Sequence, residues 1–454
     1  MVSSMNASDS LSPLLEAFEH QDEVFASGFS ILQEAILEEA FPAATVAVTH
    51  HGSLIALKAL GHFTFKPNPL TEEIAPEMTE RAPRFSRSSR ERGDFDFQAT
   101  KAEASSPFPA FFAGNGNDAV NPSTLFDLAS LTKVVATTPM AMLLYQQGLL
   151  DLDAPVAAIL PEFTTDAEKD LRRHDVTIRM LLSHCSGLPA YEKLFLKARS
   201  RSELVQAAFT TPLSASPATR AEYSDIGFII LGIALERLAD EPLDRFCQRE
   251  IFAPLAMTNT AFNPPPEIRA QIPPTADERE EPKCGAGTLA REMQSARRPQ
   301  SAIHPSARST FRQRIIQGEV QDENASVLGG VAAHAGLFST AADLAKFAHA
   351  MLHGGRPILR PETISLFTRR ESAPTGTSRT LGWDMPSSPS QSGKYFPAQS
   401  FGHLGYTGTS LWIDPSRQLS ITLLTNRTWP DCSNQAIKKL RPKFHDAIIE
   451  ALAD

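Results

Sequence analysis

Apolar positions along the chain change period several times, and each change marks an element. Near the N-terminus Leu14, Leu15 and Phe18, then Ile31, Leu32, Ala35 and Ile36, recur at three- and four-residue intervals and predict helix. The run TVAVTHHGSLIALKALG alternates on both sides of His51-Gly52 and predicts a hairpin. Helical spacing returns over residues 130–150, 177–183, 201–209, 226–238 and 341–352. The tail goes back to strands, GTSLWID and QLSITLLTN, joined by Pro415-Ser416-Arg417. It closes with a helix that carries Phe444, Ile448 and Leu452 on one face. Hairpins near both ends with helices between predict an α/β (α+β) fold. One antiparallel sheet would be built from both chain ends and flanked by helices, beside an all-helical lobe.

Two stretches break the pattern. Residues 64–120 include RFSRSSRERGDFDF and SSPFPAFFAGNGND, and residues 277–318 include REMQSARRPQSAIHPSARSTFRQR. Both read as flexible inserts. The remainder forms one two-lobed unit, with 28–63 and 335–454 in the α/β lobe and 121–334 in a mainly helical lobe. The basic residues Arg291, Arg297, Arg298, Arg308, Arg312 and Arg314 read as a solvated loop.

Composition narrows the function classes. Hydrophobic residues make up 42% and charged residues 21% of 454, the balance of a soluble globular protein. Lys and Arg number 43 against 52 Asp and Glu, so the net charge of −9 argues against a nucleic-acid partner. The longest apolar stretches, 134–145 and 226–235, fall short of the roughly 18–20 residues of a membrane span. The first residues, MVSSMNASDS, lack a basic n-region and a long apolar h-region, so the sequence as given predicts a cytoplasmic protein, or an exported one if the start is misassigned. Cys185, Cys247, Cys284 and Cys432 show no metal-type spacing and read as isolated thiols.

Three short motifs carry candidate chemistry. In FDLASLTK, Ser130 and Lys133 stand three apart where a helix begins, on one face of its first turn. A lysine in a partly dry site has a lowered pKa and can help take a serine's proton. In AEYSDIGFIILG, Tyr223 and Asp225 precede an apolar helix. Asp225 either caps that helix or serves chemistry, and Tyr223 either packs or acts, as a phenolate beside a lysine, as general base. The chain has only five tyrosines, which gives a tyrosine in a motif more weight. In FGHLGYTGTSLWIDP, His403 and Gly405 precede a strand, where glycine permits close backbone approach. The N–H of Tyr406 would then join that of Ser130 as an oxyanion donor.

The order Ser-x-x-Lys, Tyr-x-Asp some 90 residues on, and His-x-Gly before a late strand resembles the serine β-lactamase and penicillin-binding-protein family. It is most similar to the branch of class C β-lactamases, D-alanyl-D-alanine carboxypeptidases and related esterases. VTIRMLLSHCSGLPAY, VLGGVAAHAGLFSTAADLAKFAHAMLHGG and LGWDMP resemble family sequence as well. The resemblance implies an acyl-enzyme serine hydrolase whose site lies between an α/β lobe and a helical lobe. Ser130 would be the nucleophile, Lys133 its proton partner and Tyr223 the general base. Asp225, His403 and Gly405 would orient substrate, and no metal or organic cofactor is implied.

Two positions depart from the family pattern. Asp225 replaces the usual Asn, and His403-Leu404-Gly405 replaces Lys-Thr-Gly, so a fixed cation becomes a group mostly neutral near pH 7. Both changes weaken recognition of a substrate carboxylate. The expected substrate is therefore a small ester, amide or peptide, with an esterase or amidase ahead of a D-alanyl-D-alanine carboxypeptidase or β-lactamase. The alternative from another class is a non-catalytic binding module on the same fold. Asp322, Glu323 and His334, in GEVQDENASVLGGVAAHAG, read as pocket wall rather than metal ligands. Oligomeric state is left open.

Overall fold

The computed structural model describes residues 11–65, 118–165, 170–279, 311–430 and 432–453. Eleven strands occur among them: β1 Leu15–Glu16, β2 Ala43–His50, β3 Ser53–Gly61, β4 Phe126–Asp127, β5 Ala261–Phe262, β6 Pro274–Asp277, β7 Ile315–Gln317, β8 Leu337–Ser339, β9 Phe401–Leu404, β10 Ser410–Asp414 and β11 Leu419–Thr425. The main sheet has the order β1-β3-β2-β11-β10-β9, antiparallel apart from the β1–β3 pair. Its centre joins the two chain ends, with Val46 opposite Leu423 and Val48 opposite Ile421.

Alternation along the central strands feeds two cores. Ala44, Val46 and Val48 of β2, Trp412 of β10 and Ile421 and Leu423 of β11 face one layer. That layer is closed by the helices Ala26–Leu37 and Ile437–Glu450, which bring Phe29, Leu32, Phe444 and Ile448. Ala43, Ala47, Leu411, Ile413 and Leu424 face the opposite layer. There the helix Ala341–Leu352 covers the sheet, and the core continues into the helical region through Thr138–Gln146 and Asp225–Ala239. Among the described residues no helix is long and apolar enough to cross a membrane.

Several expectations need correction. Leu14, Leu15 and Phe18 do not start a helix: Leu15–Glu16 is an edge strand beside β3, and two residues are too few for periodicity to reveal it. The insert 277–318 begins and ends in structure, because β7 pairs with β6 and so ties its last residues back to the chain before it. Arg312 is not solvated. It is buried, and its guanidinium holds the Glu278 carboxylate at 2.9 Å and the carbonyls of Val320 and Gln321 at 2.8 and 2.7 Å. Cys185 and Cys247 are free thiols as expected, but Cys432 is disulfide-bonded. Most of 64–120, and Arg291, Arg297, Arg298 and Arg308, lie outside the described residues.

Candidate active site

The turn that carries Ser130 is built under strain. Ala129 adopts φ +47°, a left-handed conformation that costs a non-glycine residue about 1–3 kcal/mol. Its N–H is held by the Asp127 carboxylate at 2.8 Å, and the other carboxylate oxygen accepts from the N–H of Gln321 at 2.7 Å. Burial pushes the Asp127 carboxyl up to about 6 despite these bonds. The chain then makes a single 3₁₀ turn, Ala129–Leu131, and a π turn, Lys133–Thr137, before the α-helix Thr138–Gln146. The 3₁₀ turn brings Lys133 over Ser130, three residues back, and the π turn that follows is a deviation of the kind that recurs at functional sites.

Ser130 Oγ lies 2.7 Å from the Tyr223 hydroxyl and 3.1 Å from Lys133 Nζ. Lys133 is fully buried and gives its other two hydrogen bonds to Asp225 Oδ1 at 2.7 Å and the His334 carbonyl at 2.8 Å. Burial lowers the lysine's pKa, against the opposing pull of Asp225. Burial raises the Tyr223 phenol well above its ordinary value, and Asp225 adds to that. Burial and Asp225 thus both favour the protonated phenol, while burial of Lys133 favours its neutral amine.

Asp225 is not the helix cap. Ser224 fills that position, its hydroxyl accepting from Gly227 N at 3.0 Å. Asp225 is thereby free to turn toward Lys133 from the first helical residue. His184 was not singled out from the sequence, although it lies in VTIRMLLSHCSGLPAY. Its ring packs 4.7 Å from that of Tyr223 and 5.0 Å from that of Phe228, and its Nδ1 accepts from Ser224 N at 3.0 Å. It fixes the Tyr223 ring between a neutral imidazole and the lysine, whose Nζ lies 4.9 Å from the ring centre.

His403 and Gly405 come from the edge strand β9 and the turn after it. His403 Nδ1 donates to the Leu404 carbonyl at 2.8 Å. Burial, with help from Lys133 and Arg379, pulls the imidazole down to about 3, so it is neutral and offers Nε2 as an acceptor. A Cβ on Gly405 would fall 1.9 Å from Thr409 Oγ1 and 2.5 Å from the Leu128 carbonyl. Thr407 Oγ1 donates to the Asp127 carbonyl at 2.7 Å, and Thr409 Oγ1 to that of Leu128 at 2.9 Å. These bonds stitch the 405–409 turn onto the residues just before Ser130, which brings Tyr406 to the same cavity as the serine.

That cavity has a volume of 390 Å³ and is lined by Ser130, Tyr223, Asp225, His403, Gly405 and Tyr406 among others. Asp322 and His334 also line it, joined to each other at 2.8 Å. Glu323 is buried behind them, accepts from the Tyr191 hydroxyl at 3.3 Å, and is pushed up to about 7 by burial and by Asp322. Sequence reading missed Arg379. Its guanidinium lines the cavity 5.6 Å from the Tyr223 ring centre and pairs with Asp384 at 3.4 Å. The only signal for it was a charged residue four positions before Trp383 of LGWDMP.

A serine–lysine–tyrosine cluster with its lysine buried, between a two-ended sheet and a helical region, fits a class of serine hydrolase, and comparison with known proteins agrees. The Beta-lactamase family profile matches residues 30–440, and the chain belongs to that family. It is 35% identical over 323 residues to an N-acetylmuramyl-L-alanine amidase of Bacillus subtilis (strain 168), covering 67% of this chain and 68% of the relative. It is 32% identical over 329 residues to an Escherichia coli (strain K12) protein provisionally named a D-alanyl-D-alanine carboxypeptidase, covering 67% and 69%. Among solved structures it is similar to EstCE1, a hydrolase with promiscuous acyltransferase activity, at a TM-score of 0.63 and 20% identity over 94% of this chain and 99% of that one. A class C beta-lactamase from Rhodobacter sphaeroides superposes with a TM-score of 0.60 at 17% identity, covering 95% and 100%. The chain is a serine hydrolase of this family, with the family's mixed α/β fold.

Proposed function

We propose that Ser130 is the acylated nucleophile and that its proton leaves through Lys133. One observation carries this reading: Ser130 Oγ is within hydrogen-bond distance of both Lys133 Nζ and the Tyr223 hydroxyl, on the wall of the cavity. Unprotonated Lys133 takes the serine proton as Oγ bonds to the substrate carbonyl carbon. The oxyanion is met by the N–H groups of Ser130 and Tyr406, an arrangement worth on the order of 10²–10³ in rate per donor. Tyr223 passes a proton to the departing alcohol or amine and regains it from Lys133. Water then releases the acyl group by the same steps in reverse. Asp225 keeps Lys133 in place, and His403, through Nε2, accepts a hydrogen bond from substrate.

The substrate class supported best is an uncharged or weakly charged ester or amide, because the cation at the His403 position is gone. Arg379 favours a second reading, a substrate that carries a carboxylate, such as a D-alanyl peptide or β-lactam. Turnover of p-nitrophenyl acetate and butyrate by wild type and Ser130→Ala, with a chromogenic cephalosporin alongside, separates the two. A fluorophosphonate probe should label the peptide containing Ser130. Equal turnover by Ser130→Ala, with labelling that does not depend on the serine, would overturn the assignment.

A further inference from the structure

We propose that Asp322 and His334 form a buried positioning pair that holds Lys133 in register with Ser130. The inference rests on the reading of Lys133 as Ser130's proton acceptor, and neither residue of the pair hydrogen-bonds to Ser130 itself. His334 acts through its backbone. Its carbonyl is one of the three acceptors on Lys133 Nζ, and the neighbouring Ala333 carbonyl accepts from Thr137 Oγ1 at 2.7 Å. Two successive carbonyls of one loop thus dock onto the two ends of the π turn that carries the lysine.

That loop is bounded by glycines. Gly329, Gly330 and Gly336 around it all take left-handed φ values, between +80° and +113°. Its ends are held by Asn263 Nδ2 on the Gly329 carbonyl at 2.9 Å and by Leu337 N on Thr132 Oγ1 at 3.1 Å, and its middle is held by the His334 ring, buried to 1% exposure, with Nε2 on Asp322 Oδ1 at 2.8 Å. Asp322 is fixed in turn: its carboxylate caps the short helix Glu323–Val327 through Ala325 N at 2.8 Å. The other ring nitrogen, His334 Nδ1, is buried and has no hydrogen-bond partner among the described residues. Asp322 and His334 both line the cavity that holds Ser130, so the pair borders the site whose lysine it supports.

Asp322 also places a second carboxylate near the buried ammonium. The charged and titratable groups facing Lys133 come from every element around it. Asp225 and Asp322 favour its charge and Arg379 opposes it. Tyr223 packs on it, and the neutral rings of His184 and His403 complete the set with His334. Neutralising Asp322 removes one of the two carboxylates that favour that charge. The lysine then loses its proton more readily, and its position against Ser130 loosens because the loop carbonyl is no longer anchored.

Asp322→Asn and His334→Leu test this in the full-length protein, with His334→Gln as the conservative variant that keeps a donor for Asp322. On p-nitrophenyl butyrate, both disruptive variants should lose about 10- to 100-fold in kcat with KM within about threefold, as expected when a reacting group is misplaced. His334→Gln should recover part of that loss. The acidic limb of kcat/KM, which rises as Lys133 loses its proton, should move to lower pH by about 0.5–1 unit in Asp322→Asn. Wild-type kcat and an unmoved limb in folded variants would overturn the proposal while leaving Ser130's role intact. Should Ser130→Ala prove as active as wild type, the Cε resonance of Lys133 in ¹³C-labelled protein still decides. Its titration midpoint should fall in Asp322→Asn, and an unchanged midpoint would sink the pair on its own.

Discussion

Replacing Asp225 by Asn tests whether the Lys133–Asp225 pair is a structural as well as a chemical feature. Nζ and Oδ1 stand 2.7 Å apart, with side-chain exposures of 0% and 13%. Removing one partner of a buried pair costs about 3–5 kcal/mol, because the remaining charge is stranded. Lysine has a way out, since it can fold without its proton. Relative to an unfolded-state value near 10.4, that escape costs at most about 4.6 kcal/mol at pH 7 and about 1.9 at pH 9. The amide oxygen of Asn still accepts a hydrogen bond, and Lys133 already titrates below its ordinary value, so the expected loss is about 2–4 kcal/mol at pH 7 and at most about 2 at pH 9. The sign follows from linkage. A lysine depressed in the folded state leaves more protons on the unfolded chain, so the variant's stability climbs with pH relative to wild type. Urea unfolding of both proteins at pH 7 and pH 9 measures this directly. A difference under about 0.5 kcal/mol at pH 7, or an equal loss at both pH values, would refute the reasoning.

Two further substitutions probe the frame of the site. Gly405→Ala drives a methyl group into Thr409 Oγ1 and the Leu128 carbonyl, so it should cost about 1–3 kcal/mol. By shifting the 405–409 turn away from Ser130 it should also cut kcat on the order of 10²-fold, and full activity would show that turn to be dispensable. Glu323→Gln should stabilise the protein on the order of 3 kcal/mol at pH 8, with the benefit fading toward pH 4.5. Glu323 keeps its proton up to about 7 in the folded state while the unfolded chain releases it earlier, so wild type loses stability as pH rises through that window. Thermal unfolding at pH 5 and pH 8 checks the sign, and identical shifts at both would count against it.

Much of the scaffold was legible because its elements bury one face or strictly alternate. The helices Arg201–Phe209 and Ala341–Leu352 end where their apolar spacing ends, and the β2–β3 hairpin turns at His51-Gly52 as the alternation predicts. Ser130, Lys133, Tyr223, Asp225, His403, Gly405 and Tyr406 were named from spacing and resemblance, and all but the buried Lys133 line one cavity that the lysine reaches through Ser130. What escaped was set by tertiary contacts. The direction of Tyr223's titration depends on burial, which a three-residue motif does not reveal. Arg312 and Arg379 look like solvated residues in sequence, yet each is enclosed by segments from elsewhere in the chain. Asp225 was a plausible cap until Ser224, one residue earlier, took that position.

The joining of the two chain ends in one sheet also governs the timing of synthesis. Thr49 and Ser420 share a buried hydrogen bond across 371 positions of sequence. At about 5–20 residues per second, the first hairpin waits on the order of 20–70 s for β11 to arrive. Ser130, Lys133 and Tyr223 emerge during that interval, but the 405–409 turn that closes over the serine does not. The nascent chain therefore exposes Ser130 long before the turn beside it exists, and a product truncated before β9 holds Ser130, Lys133, Tyr223 and Asp225 without the rest of the cavity wall.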